Sequence, residues 1–471
     1  MGIILKTKEA GTREIELAAI EALRGKIRGE ILWDGSPHYD DARTIWNAMV
    51  DRRPALIVRC RETGDVASAI RFARDHGLLV AVRGGGHHIA GNAVVDQGFV
   101  IDLSQMKSIR VDPQARRARV EPGATLADLD RETQPFGLAV PTGINSTTGI
   151  AGLTLGGGFG WITRKFGLTI DSLVSADVVS AEGERLHATA TENPDLFWAL
   201  RGGGGNFGVV TSFEFALHQA GPEVLAGLVI HPIDDALELL RQYRELLLQA
   251  PDELTCWVVM RTAPPLPFLP VQWHGKKVLV FAMCYVGDLA AGEKAAAGFR
   301  GLGKPIADAV GRAPFAGWQQ AFDPQLTPGA RNYWKSRDFA EFSDAAAAAV
   351  IEAARAAPGP ECEIFIFDIG GAAARVPVAA TAFPQRDAHF GMNVHSRWRD
   401  KSEDNAHIAW ARSAFEATAR FASGTAYVNF MPEDEGDRVR TAYGANYSRL
   451  AEIKRRYDPT NLFRLNQNIA P

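Results

Sequence analysis

The sequence predicts an α+β fold, and three observations carry the prediction. Residues 41–80 read as helix, strand, helix, strand, and a glycine turn follows at once. From near residue 217 onward, strand-like runs alternate with helices that would cover one side of a mostly antiparallel sheet. The chain has 471 residues, 46% hydrophobic and 23% charged, enough to bury about three quarters of its unfolded surface. Length alone allows three domains or two large ones.

Each element has a local reason. Pro54 precedes the short apolar run 55–58, and Gly64-Asp65 opens the helical pattern VASAIRFARDHG, which Gly77 can terminate. LLVAV (78–82) is a buried-type strand that delivers the chain into RGGGHHIAG (83–91). Next come FVIDL (99–103), RARVEPG (117–123), a helix over ATLADLDRETQPFG and the loop PTGINSTTG (141–149). EVLAGLVIHP is strand-like; residues 234–249 have helical spacing, opened by Asp235 with Glu238 three residues on, as in a capping box. KVLVFAMCYVG (277–287) and EIFIFDIGG (363–371) are strands around an alanine-rich helix, 344–357, closed by Pro358-Gly359. AYVNF (426–430) reads as a strand, and the closing DPTNLFRLNQNIAP as an irregular segment docked onto another domain.

Composition narrows the function. With 51 basic and 55 acidic residues, no basic excess points to nucleic acid. The N-terminus turns polar too soon for a secretory signal and no apolar run reaches membrane-spanning length, so a cytoplasmic protein is expected. Cys60, Cys256, Cys284 and Cys362 form no CxxC pair, which favours reduced, buried thiols.

RGGGHHIAG is the most informative stretch. Its three consecutive glycines leave bare backbone N–H groups, a seat for a phosphate or diphosphate. LGGGFG (155–160) and RGGGGNFG (201–208) add two more such clusters, which together point to one large phosphate-bearing cofactor. Gly203, Gly205 and Gly208 satisfy G-x-G-x-x-G, and Val210 completes the kinase glycine-loop pattern. A strand, VVTSFEF, follows where a nicotinamide motif demands a helix, and no VAIK or HRD segment follows either, so both readings are set aside. His87 and His88 lack the neighbours of a metal shell, and no metal is expected. Two readings of His87 stand: a turn histidine packed against backbone, or a neutral imidazole acting as nucleophile. Beside a flavin, such an imidazole can attack the activated ring methyl group and form a permanent tether.

RPALIVRC (53–60), RGGGHHIAG, IDLSQM (101–106), PTGINSTTGIAGLTLGGGFG (141–160), DLFWALRGGGGNFGVVTSFE (195–214), RNYWKS (331–336), AYVNF and DPTNLFRLNQNI (458–469) occur in this order. In these segments the chain resembles flavoprotein oxidases of the vanillyl-alcohol oxidase superfamily, in the bacterial, 6-hydroxy-D-nicotine oxidase-like part of the berberine bridge enzyme-like branch. The resemblance implies a two-domain FAD-binding fold: residues 1–217 and 421–471 hold FAD, and 218–420 form an antiparallel-sheet substrate domain over the isoalloxazine face. It implies a covalent bond from His87 to the flavin 8α-methyl carbon. The second tether of bicovalent members is a cysteine fifteen positions before the last glycine of the GGG-aromatic-G motif; here that position is Asn145. One covalent bond is therefore implied, with a tighter active site, less room for oligosaccharides and a lower flavin potential.

The same resemblance carries further cofactor contacts onto Arg83, Gly84, Gly85, Gly86, His88 and Gly91. It adds Pro141, Thr142, Gly143, Asn145, Ser146, Thr147, Thr148, Gly149, Gly152, Gly156, Gly157, Gly158 and Gly160. Gly208, Val209, Val210, Tyr427, Asn429 and Asn466 complete the set. Gly84–Gly86 and Gly156–Gly158 would bring amide donors to the diphosphate; the hydroxyls of Thr142, Ser146, Thr147 and Thr148 are added donors or solvated turn groups. Thr148 falls where family members gate oxygen, and its size resembles the valine of oxygen-reactive members.

The implied reaction takes a hydride from an alcohol or amine C–H to flavin N5 and passes the electrons to dioxygen, releasing peroxide. Tyr427 falls where related oxidases place a catalytic tyrosine. Its ordinary pKa near 10 must be lowered by a cation or donor for it to act as a base; the other reading is a core tyrosine. Asn429, two residues on, would share a sheet face with it. Lys335 is the other charged candidate, either over the site or a surface lysine beside buried aromatics, while His389 and His395 read as structural. Two alternatives stay open: a flavin dehydrogenase with another acceptor, and a non-catalytic flavin-binding protein. The expected partner is a small molecule (aromatic, sugar-like or secondary-metabolite), and nothing in the sequence sets an oligomeric state.

Overall fold

The computed structural model describes residues 2–471. Three sheets organise it. The first has the order Glu30–Leu32, Leu56–Arg59, Phe99–Asp102, Val80–Arg83, its last three strands running parallel. Parallel pairing needs a crossover, which the helix Thr63–Asp75 supplies by burying Val66, Ala69, Ile70 and Ala73 along one face. Gly77, at φ +62°, turns the chain into the next strand. The glycine loop leaves from the C-terminal end of Val80–Arg83, the edge where α/β sheets hold ligands.

A five-stranded antiparallel sheet follows, ordered Arg185–Ala188, Leu173–Val179, Val209–Ala216, Arg117–Val120, Ile109–Asp112. The segment after Gly208 is thus a strand, as its alternation predicts. Residues 426–469 return to this part of the molecule, where Val428, Tyr443, Leu450 and Ile469 pack with Val120, Leu129 and Phe213. The buried Lys454 fastens the return: its Nζ reaches Asp458 at 2.6 Å and donates to the carbonyls of Asn206 and Phe463.

The third sheet has eight strands, all antiparallel, drawn from residues 223–398. Alternation along each strand sorts side chains to two faces. Val258, Met260, Ile364, Ile366, Met392 and Val394 enter a core shared with the helices Ala236–Gln249, Leu289–Arg300, Asp344–Arg355 and Asp404–Ala417. The opposite face carries Trp257, Phe365, Phe367 and Trp334, which pack with Phe159, Trp161 and Tyr427 from outside the sheet. Both faces are covered, so every residue of Glu363–Asp368 is buried.

Two local readings need correction. Asp235 does not cap its helix: a 3-10 turn, Ile233–Asp235, feeds Ala236–Gln249, and Asp235 already has helical backbone (φ −85°, ψ −4°) with no side-chain cap. A capping side chain reaches back only from an extended residue. AYVNF is not a strand either. Tyr427 is extended (ψ 116°), but Val428–Phe430 is a 3-10 turn, with no neighbouring strand to pair it. Among the described residues, no helix is long and apolar enough to cross a membrane, and the four cysteines are free and buried.

Candidate active site

One cavity, of about 310 Å³, opens between the glycine loops and the aromatic face of the eight-stranded sheet. Its lining includes Gly84, Gly85, Gly86, His87, His88, Gly143, Asn145, Thr148, Gly149, Gly152, Gly208, Val209, Val210, Tyr427, Asn429 and Asn466. Among the described residues, no protein acceptor takes the backbone N–H of Gly84 through His88. Unpaired backbone donors in a run are rare in folded proteins and mark a place where an acceptor from outside is held. Gly85 lies against Gly149 so closely that a Cβ would sit 2.5 Å from that backbone, so only glycine lets the two loops meet.

Other expected contacts lie elsewhere. Arg83 turns out of the cavity and donates to the carbonyl of Ala42. Gly91 packs on Val50, with its carbonyl held by Arg52. The Pro141 carbonyl accepts from Thr169, Thr142 Oγ1 accepts from Gln319 at 3.1 Å, and Ser146 bonds Asp323 through backbone and hydroxyl. Gly156, Gly157 and Gly158 make no diphosphate seat. A Cβ on Gly156 would lie 2.3 Å from Asn429, and one on Gly157 2.8 Å from Phe383. The Gly158 N–H donates to Tyr427 Oη at 3.0 Å. This cluster seats the Tyr427–Asn429 turn instead. Gly160 closes against the Thr142 carbonyl, where a Cβ would meet the oxygen at 1.8 Å. Gly160→Ala is expected to cost about 3 kcal/mol in chemical denaturation, whereas Gly152→Ala, with nothing within 4 Å, changes stability little.

Lys335 is also misplaced by the sequence reading. On the strand Arg331–Phe339, Trp334 faces the cavity and Lys335 faces the other way. Its Nζ meets Glu435 Oε1 at 2.8 Å and Asp434 Oδ1 at 3.3 Å, a buried structural pair. Burial opposes its charge, but Glu435 overcomes this and raises its pKa.

Tyr427 lines the cavity, and Asn429 reaches it through the turn, not across a sheet: Asn429 Nδ2 donates to Tyr427 Oη at 2.9 Å. No cation faces the phenol. Burial drives its pKa up to about 12, against the hydrogen bonds from Gly158 and Asn429. With its oxygen accepting two bonds, the hydroxyl proton is left to donate outward. Tyr427→Phe is expected to cost about 2–4 kcal/mol through two orphaned donors. Its activity profile between about pH 6 and 9 should parallel wild type, since a phenol with raised pKa stays protonated throughout that range.

His395 is the residue the sequence undervalued. It lines the cavity, packs tilted against the Trp334 ring (3.9 Å between centroids, 33°), and places Nδ1 3.3 Å from Glu363 Oε1. A cross-strand row sets this up: Arg261, Glu363, His395 and Trp334 are successive register partners on one sheet face. Arg261 Nη1 lies 2.9 Å from Glu363 Oε2. Burial works to raise the Glu363 pKa, but Arg261 and His395 overcome it and hold the carboxyl below its ordinary value. Burial also keeps His395 below the ordinary imidazole value, against the pull of Glu363. His395 is therefore neutral at pH 7, with Nδ1–H donated to a carboxylate. His389 is exposed.

At the other end, His87 stacks on Trp46 (4.5 Å, 24°) and its Nε2 lies 3.0 Å from Thr147 Oγ1. Burial, with Arg397 nearby, takes its pKa down to about 3. Trp46, Trp257, Phe365, Phe367 and Asn393 complete the wall; the alternation in EIFIFD and MNVHS would have placed most of them on one face.

Fold and cavity together define a site for one extended ligand, with bare amides at one end and an aromatic chamber at the other. Residues 54–189 match the FAD binding domain model, and residues 426–470 the model for berberine and berberine-like proteins. The (R)-6-hydroxynicotine oxidase of Paenarthrobacter nicotinovorans is 32% identical over 460 residues, covering 94% of this chain and 97% of that protein. The FAD-linked oxidoreductase YgaK of Bacillus subtilis (strain 168) is 31% identical over 95% of this chain and 98% of its own length. Among solved structures, 6-hydroxy-D-nicotine oxidase from Arthrobacter nicotinovorans superposes with TM-score 0.84 at 31% identity, covering 94% of this chain and 98% of that one. Xylooligosaccharide oxidase from Myceliophthora thermophila C1 shares the fold, with TM-score 0.85 at 24% identity over 96% and 99% of the two chains. The chain belongs to the berberine bridge enzyme-like family of FAD-linked oxidoreductases. The unpaired N–H groups of Gly84–His88 fit the anionic part of FAD.

Proposed function

We propose that this enzyme is an oxidase of small, flat aromatic alcohols or amines, with FAD held by one covalent bond through His87. The observation that carries this reading is the placement of His395, neutral and backed by Glu363, on the same cavity as the free amides of Gly84–His88. When bound, FAD supplies the two-electron chemistry, accepting a substrate hydride at N5 and passing the electrons to dioxygen to give hydrogen peroxide. The protein supplies the rest. Gly84–His88, Asn145, Gly208–Val210 and Asn466 hold the cofactor along the cavity. His395 Nε2 takes the substrate's O–H or N–H proton, and Tyr427 donates its hydroxyl hydrogen to orient a polar group. Trp257, Phe365, Phe367 and Trp334 bury the ring of the substrate and exclude water. A relative named for 6-hydroxynicotine supports this substrate class, and the small Thr148 on the cavity wall supports access of oxygen. In this reading residues 1–217 and 421–471 bind FAD and 218–420 bind substrate.

Anaerobic mixing with aromatic alcohols and amines is expected to bleach the yellow cofactor, and turnover in air to release one peroxide per substrate oxidised. Bleaching without peroxide would make the enzyme a dehydrogenase. No bleaching by any candidate would leave a flavin-binding protein without this activity.

A further inference from the structure

We propose that Asn145 and Thr147 are positioning residues that fix the tautomer of His87, leaving Nδ1 as the atom that bonds the flavin. The inference rests on the His87 tether proposed above. Asn145 Oδ1 accepts two bonds from Thr147, from its backbone N–H at 3.1 Å and from its hydroxyl at 2.7 Å. The backbone bond settles which end of the amide is oxygen, since an N–H has no other role than to donate. The Thr147 hydroxyl has one hydrogen and spends it on Asn145. Its oxygen therefore meets His87 Nε2, 3.0 Å away, as an acceptor, and Nε2 carries the proton. Among the described residues no protein group bonds Nδ1, which keeps its lone pair. Stacking on Trp46 fixes the plane of the ring. Thr147 is exposed while Asn145 is buried, so Asn145, not burial, orients the hydroxyl; without it the hydroxyl is free to rotate and donate to Nε2, which would leave the lone pair at the wrong nitrogen.

Tethering then balances as follows. The Nδ1 lone pair makes the new bond to the methyl carbon, which loses one hydrogen as a proton. Nε2 releases its proton, and the electron pair of the broken C–H bond passes into the flavin, the oxidant, for dioxygen to remove.

The test follows covalent flavin, not turnover. Apoprotein mixed with FAD in air is precipitated with acid over time, and the flavin that stays with the protein is measured. At saturating FAD, so that any weaker binding does not enter the rate, Thr147→Val and Asn145→Ala are expected to slow attachment about tenfold or more, and Thr147→Ser, which keeps the hydroxyl, to restore it. Nitrogen-15 spectra of the apoprotein should show His87 protonated at Nε2 in wild type and mixed in Asn145→Ala. NMR of the flavin peptide should place the bond at Nδ1. Attachment at Nε2, or wild-type attachment rates in both variants, would overturn the proposal. If wild type or His87→Ala shows that flavin is not held through His87 at all, the tether itself fails, a result distinct from a tether at the wrong nitrogen.

Discussion

His395→Asn lowers the rate of substrate-dependent flavin reduction by about 100- to 10,000-fold, the range expected on losing a general base. Nδ1 is committed to Glu363 at 3.3 Å, so Nε2 is the nitrogen available to a substrate in the cavity. The charged groups around the ring are Glu363 on the adjacent strand, Arg261 beyond it and Arg397 on its own strand, with the uncharged Trp334 and Phe365 packed against it. Burial sets its pKa below the ordinary value of about 6.5, so the basic form is present throughout the neutral range. Rate therefore holds on going from high pH to neutral and falls only on further acidification. Glu363 stabilises the protonated ring, so Glu363→Gln lowers the His395 pKa still more. The maximal rate drops, and the acid limb moves to lower pH. Stopped-flow reduction under nitrogen across a pH series reads both. Reduction within about threefold of wild type in His395→Asn, at every pH, would place the base elsewhere.

How much of this was legible depended on phase more than on composition. RGGGHH was readable because a buried strand runs into glycines, and the physics of bare amides needs no tertiary context. Three strands of the eight-stranded sheet, Glu223–Pro232, Lys277–Tyr285 and Glu363–Asp368, were readable from long apolar runs. What could not be read was which way a given side chain points. In Tyr333-Trp334-Lys335 the whole question of whether Lys335 meets substrate is one of odd or even position, and a one-residue shift exchanges the cavity for the helix-covered core. The same limit hid His395 and Asn393: MNVHS alternates, but the strand Phe390–Trp398 does not itself set which of its two faces meets the cavity.

LGGGFG failed for a different reason. Glycines there admit the side chains of Asn429, Phe383 and Thr169 instead of a ligand, and two of these three, Asn429 and Phe383, come from more than two hundred residues away. Tyr427 was located correctly in its neighbourhood but not in its chemistry. Its partners turned out to be Gly158 and Asn429, two neutral donors whose bonds do not offset burial, so the phenol is pushed up to about 12.

His87→Ala abolishes covalent flavin altogether: after acid precipitation the wild-type pellet is yellow and the variant pellet colourless. The variant still binds FAD, because the amides of Gly84–His88 do not depend on the imidazole. Flavin should then leave it on gel filtration or dilution, as a reversible ligand does and a tethered one does not. The pH course separates a tether from merely tight binding. A histidine of ordinary pKa loses half its nucleophile near pH 6.5, and attachment would slow through that range. With burial holding His87 near 3, the lone pair is present at every working pH, and attachment should be flat between about pH 6 and 9 as far as this residue is concerned. The same shift has a cost in the empty protein. The unfolded chain takes up a proton at His87 below about pH 6.5 and the folded one does not, so acidification toward pH 4 favours unfolding. In the empty protein His87→Ala removes that group, so its acid unfolding limb should lie at lower pH than that of wild-type apoprotein.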